Sequence, residues 1–180
     1  MADEADVLTD LNMDPEALGN GADNQPVAGI ISQYVKDLSV ENPNAPACFQ
    51  WQSAPNIDLQ FNIAAEPVSE EVSEVELKIK LTAKATEGDL YLVELAYCGL
   101  IGMRNLPDEH AHAFLYAEAP RILFPFARRV IADATRDLGF QPMMIDPIDF
   151  NGLYLQQLQR KADEDAAAGG QVPPPPAGEA

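Results

Sequence analysis

The sequence predicts an α+β domain with an antiparallel sheet, strands first and helices after, and three observations carry that prediction. Over 73–86, Val75, Leu77, Ile79, Leu81 and Ala83 alternate with Glu74, Glu76, Lys78, Lys80, Thr82 and Lys84. A period of two marks a strand with one buried and one wet face. The short connection Glu87-Gly88-Asp89 then leads into a second apolar run, so the two strands form a hairpin. After Pro107 the apolar period becomes helical.

The elements follow in order. Residues 1–27 carry seven acids and no Lys or Arg. They are rich in Asp, Asn, Gly and Ala and read as a disordered acidic arm, with a possible helical turn at 14–19. A first strand spans 30–41, where Ile31, Tyr34, Val35 and Val40 supply β-branched and aromatic character. The loop 41–47 holds Pro43 and Pro46, which exclude a central strand there. A second strand spans 57–64 with Ile57, Leu59, Phe61 and Ile63 on one face. The strand over 90–101 is apolar on both faces apart from Glu94.

Asp108 can cap a helix over 109–118, and a second helix starts at Pro120, a favoured first-turn residue. Leu123, Phe126, Ala127, Val130, Ile131, Ala134 and Leu138 form its apolar stripe, and Pro125 is expected to kink or fray its first turns. An apolar loop covers 139–147, and a last helix runs from about Asn151 to Ala167. Residues 163–180, with the run Pro173 to Pro176, read as a flexible, Pro-rich acidic tail. The domain proper is therefore expected over 28–162.

Composition narrows the function. The net charge is −18, of which the arm and tail hold −11. Such a chain repels phosphate backbones, so nucleic acid is excluded as a partner and a basic protein surface suits it. Only Cys48 and Cys98 occur, without the close spacing of a thiolate metal site or the density of a disulfide framework. No basic, apolar leader is present, and no apolar run is long enough to span a bilayer, so a cytoplasmic protein without membrane insertion is expected. His110 and His112 are two apart, about 200° on a helix, and cannot share a metal. One is expected solvated and one half-buried. No phosphate loop or nucleophile–base pattern stands out, and Cys98 reads as a small core residue. No enzyme, cofactor or metal is expected.

Two oddities concern surfaces. Leu90, Leu92, Ala96 and Leu100 form a second apolar face of one strand, to be covered by helices of the chain or by a partner. Phe49, Trp51, Phe140, Met143, Met144 and Ile145 lie outside regular structure, where they either plug the core or line an apolar groove.

The segments YVKDLSVENPNAP (34–46), LYLVEL (90–95), LFPFAR (123–128), GFQP (139–142) and PIDFNGLY (147–154) occur in this order and resemble the SecB family of protein-export chaperones over about 28–158. The resemblance implies a four-stranded antiparallel sheet with helices packed beside it. It also implies a homotetramer built as a dimer of dimers. The function implied is an ATP-independent holdase that keeps precursor proteins unfolded and export-competent and delivers them to the translocase motor SecA. Carried over by position, Asp37, Glu41, Leu92 and Glu94 face SecA, while Phe49, Trp51, Phe140, Met143, Phe150 and Tyr154 line the client groove. The tail VPPPPAGEA matches no family motif, which puts a second SecA contact there in doubt. Alternatives are a SecB-like chaperone of a toxin–antitoxin pair, or an oligomeric adaptor that binds folded partners.

Overall fold

The computed structural model describes residues 25–169, so most of the expected acidic arm and the Pro-rich run lie outside the described residues. Four strands, β1 (Val27–Glu41), β2 (Asn56–Pro67), β3 (Val72–Lys84) and β4 (Asp89–Arg104), form one antiparallel sheet in the order β1-β4-β3-β2. All four run past the ends read from the sequence at one terminus or both, because pairing with a neighbour carries a ladder beyond its apolar segment. The β3–β4 hairpin is the centre, and β1 and β2 are the edges.

The alternation along β3 builds the core. Val75, Leu77, Ile79 and Leu81 are at most 1% exposed and stand opposite Gly99, Tyr97, Leu95 and Val93 of β4. Helix α2 (Ala119–Asp137) lies across this inner face. Leu123 presses so close that a Cβ at Gly99 would meet its Cδ2 at 2.9 Å, so a larger residue there would force the buried Leu123 side chain to shift.

The helices differ from the sequence expectation in two ways. The helix before Pro120 does not stop there. It runs from α1 (Asp108–Ala113) through a π turn (Phe114–Glu118) straight into α2. A proline at 120 has no N–H for the carbonyl four residues back, and a wider turn accommodates its ring without ending the helix. Pro125 likewise sits inside α2. The buried stripe of α2 is Pro120, Leu123, Phe124, Ala127, Ile131 and Thr135, whereas Phe126 is 41% exposed. At 100° per residue, Phe124 falls within about 40° of Pro120, Ile131 and Thr135, whereas Phe126 is turned more than about 100° away from all three.

The connection after α2 is tied down by polar bonds. The buried Thr135 hydroxyl donates to the Ile131 carbonyl (3.0 Å) and accepts the Met143 N–H (2.9 Å), while Arg128 donates to the Ile145 carbonyl (3.1 Å). Helix α3 (Phe150–Gly169) follows, running to two residues beyond the expected end at Ala167 and so overlapping the start of the segment read as a tail.

The outer face of β4 has no helix over it. Gly99 faces α2, so Ala96, Cys98 and Leu100 point to the opposite side. Ala96 and Cys98 are buried beneath neighbouring long side chains of the same face, and Leu92 and Leu100 are half-buried. One of these side-chain contacts straps β1 to β3 across β4. The Tyr34 hydroxyl donates to Glu74, and Lys36 Nζ sits 2.5 Å from Glu74 Oε2 and 3.8 Å from Glu76.

Glu74 is held below the usual carboxylate range, first by the Lys36 bond and then by that of Tyr34. Its contribution is therefore complete above the ordinary carboxylate pKa and is lost as pH falls through the lowered value. Tyr34 is pushed up to about 12, chiefly by the bond to Glu74, so its share is full below about pH 10 and is lost as pH rises through that raised value. A plateau of stability from about pH 5 to about pH 10 is expected in urea titrations. Glu74→Gln is expected to lower the plateau by about 1 kcal/mol, discounted for exposure of Lys36, and to flatten the acid limb.

Candidate functional site

Two surfaces on opposite faces of the sheet stand out. On the outer face, the β1–β4 register sets Glu41 opposite Leu92, Ser39 opposite Glu94 and Asp37 opposite Ala96. Directly paired residues on one face bring their Cβ atoms within about 5 Å, so Asp37, Glu41, Leu92 and Glu94 form one patch. Asp37 and Glu41 are exposed, and Leu92 and Glu94 are half-exposed. Glu94 does not stand alone: Lys80 Nζ of β3 lies 2.6 Å from its Oε1. That hydrogen bond lowers the Glu94 carboxyl from its usual range and raises the Lys80 ammonium.

On the inner face, α2 covers β3 and β4 but leaves most of β2 open. Ile57, Leu59, Phe61 and Ile63 of β2 face the same way as Ala83, Leu81, Ile79 and Leu77 of β3. Ile57 and Phe61 remain 37% and 38% exposed. The segment 143–148 forms the other wall, with Met143, Met144, Ile145 and Ile148 bordering an apolar groove of about 400 Å³. Phe61 closes one end, and past it a second depression of about 250 Å³ is bordered by Ile63, Tyr116, Leu153 and Tyr154.

The six residues expected in a groove fall in different places. Phe49 and Phe140 meet with ring centroids 5.3 Å apart, and Phe140 also packs on Tyr91 at 5.0 Å. Trp51 lies against Gly88 at the β3–β4 turn. Met143 borders the β2 groove and Tyr154 the second depression.

Phe150 also borders the second depression, from beneath. It is 2% exposed, edge-on to Phe61 at 6.0 Å and to Phe124 at 5.6 Å. As the first residue of α3 it points inward and supports the wall, presenting little surface of its own.

The sequence reading had identified the Ile57–Ile63 face but not that it stays open. Alternation shows that a face is apolar; it does not show that α2 stops short of it.

The histidines are both exposed, so neither is half-buried. His112 stacks on Tyr116 at 4.6 Å, and its Nδ1 lies 2.8 Å from the Tyr154 hydroxyl. Among the described residues no cluster of metal-ligating side chains occurs, and no helix is long and apolar enough to cross a membrane. Cys48 is buried and donates to Asn42 Oδ1 at 3.3 Å. Burial, with Glu74 and Glu76 nearby, pushes the Cys98 thiol up to about 11, far from a reactive thiolate.

A sheet with an apolar, Met-bearing groove on one face and an acidic patch around a leucine on the other has the surfaces of a binding protein, since adaptable apolar side chains suit recognition of low selectivity. The family model Preprotein translocase subunit SecB matches residues 21–161, and the chain belongs to the SecB family of protein-export chaperones. It is 71% identical over 174 residues to a protein-export protein SecB of Erythrobacter litoralis, covering 96% of this chain and 98% of that one. It is 58% identical to that of Novosphingobium aromaticivorans, covering 96% and 100%.

Among solved structures, a SecB-like chaperone of Mycobacterium tuberculosis in complex with a peptide from the HigA1 antitoxin superposes with a TM-score of 0.58. It covers 67% of this chain and 90% of that one, at 16% identity, and shares the fold alone. The export-protein relatives are far more similar, so the toxin–antitoxin alternative is not favoured.

Proposed function

We propose that this chaperone acts as an ATP-independent holdase in the cytoplasm, keeping precursor chains unfolded in the inner-face groove and delivering them to SecA through the outer-face patch. The observation that carries this reading is the placement of the two surfaces on opposite sides of one sheet. A client along β2 and a basic docking surface on Asp37, Glu41, Leu92 and Glu94 can bind together without competing for space. The groove suits an unfolded chain because its lining is apolar, Met-rich and low in sequence selectivity.

A homotetramer is part of the same proposal. β1 is a 15-residue edge strand with Val27, Ile31, Val35 and Leu38 exposed, a surface that invites pairing with a second copy. Phe126, exposed on α2, gives a pair of such dimers an apolar contact. The deciding experiment is refolding of a slow-folding precursor without nucleotide. Arrest of folding near one chaperone tetramer per client supports the reading, and unhindered refolding at large excess removes it in favour of an adaptor for folded partners.

A further inference from the structure

The outer face carries a feature that opposes docking. Along β3 the residues pointing outward include Lys78, Lys80 and, past Thr82, Lys84, one row from the acidic patch. Lys84 is engaged by Asp89 at 3.5 Å, beside the hairpin turn. Lys80 stands directly opposite Glu94 and holds it at 2.6 Å. Around them Gln60, Asn62 and Lys78 border a shallow depression of about 330 Å³, so Lys80 and Glu94 stand on an open surface.

We propose that Lys80 is a tethered competitor that occupies Glu94 until a cationic group of the docking partner displaces it, and so sets the affinity and reversibility of docking. The inference rests on the outer face being the docking surface for a basic partner. An incoming Lys or Arg meets a carboxylate that is already paired, and must break that pair to make its own. The displaced ammonium then remains on the same face, where it repels the cation that replaced it. Lys78, one row away opposite Ala96, adds to that repulsion.

Asp37 and Glu41 are differently placed. Their paired positions on β4 are Ala96 and Leu92, neither of them charged. Lys80 also feels the charge of Glu41, but its bond goes to Glu94, so a partner finds two carboxylates opposite apolar positions on β1 and one guarded carboxylate on β4. The acid–leucine patch alone would favour tight association; the guard keeps it weak enough for repeated handover.

The test titrates purified SecA against the full-length chaperone and its Lys80→Met, Lys80→Arg and Glu94→Gln variants, with thermal unfolding as a control for folding. Lys80→Met is expected to bind about threefold tighter, in line with the small worth of an exposed ion pair. Lys80→Arg is expected to match wild type, and Glu94→Gln to bind more weakly. Unchanged or weaker binding by Lys80→Met, with Glu94→Gln still weakened, overturns the competitor role while leaving the docking face intact. If Glu94→Gln also binds like wild type, the docking face itself is misassigned and the inference falls with it.

Discussion

Replacing Leu92 and Glu94 together by arginine is expected to weaken SecA binding by more than about tenfold while leaving capture of unfolded chains unchanged. The double change removes the apolar anchor and inverts the charge at the centre of the patch. It also sets two new cations beside Lys80, whose pairing partner is gone. A basic docking surface then meets repulsion where it met attraction. Both side chains are half-exposed on a face without a helix over it, so the core beneath α2 is untouched. The groove lies on the other side of the sheet, which is why client binding serves as the internal control. Equal loss of both activities would point to a folding defect or to one shared surface, and normal SecA binding would remove the patch from the mechanism.

The complementary variant, Ile57→Asp with Met144→Asp, is expected to lower affinity for an unfolded precursor by roughly ten- to a hundredfold with SecA binding preserved. Ile57 is 37% and Met144 63% exposed, and they stand on opposite walls of the groove. Each change removes apolar surface that a client would bury, on the order of 1.5–3 kcal/mol for a complete side chain. Each also leaves a carboxylate in a site that an apolar segment must cover, which adds a desolvation cost. Because both positions are open, the fold does not depend on them as it does on Leu123 or Ile131, each 0% exposed. Precursor affinity by fluorescence anisotropy, with unfolding curves alongside, decides the matter. Unchanged affinity would move the client site to the Phe49–Phe140 cluster or to a surface made only in the tetramer.

The two variants together separate capture from delivery. They bracket the Lys80 result as well, because a competitor for the docking partner has no reason to alter client affinity. A Lys80 variant that changed both would indicate a general charge effect on this acidic chain.

The order of elements and the antiparallel hairpin were legible in the residues, because period two and period 3.6 are local properties of a chain. So were the family and its export role, which specific segments such as YVKDLSVENPNAP and PIDFNGLY carry whatever their neighbours do. The acids Asp37 and Glu41 were readable as sharing one strand face, being four residues apart. The continuous helix was less so. Proline at 120 reads as a start, and only the π turn before it shows how a helix absorbs a missing donor.

What the tertiary structure alone decided is which apolar faces are covered. Leu77 and Ile63 both belong to apolar faces of strands, and the register pairs them, yet one is buried in the core and the other borders a depression beside the groove. The difference lies in where α2 crosses the sheet, a placement governed by Leu123 seated on Gly99, 24 residues apart in sequence. The same holds for charge. Glu74 and Glu94 look alike in the sequence, but one straps β1 to β3 and the other is held by Lys80 within the acidic patch, because strand pairing brings each to a different lysine. Period and motif are written along the chain, whereas burial and ion pairing depend on residues that only folding makes neighbours.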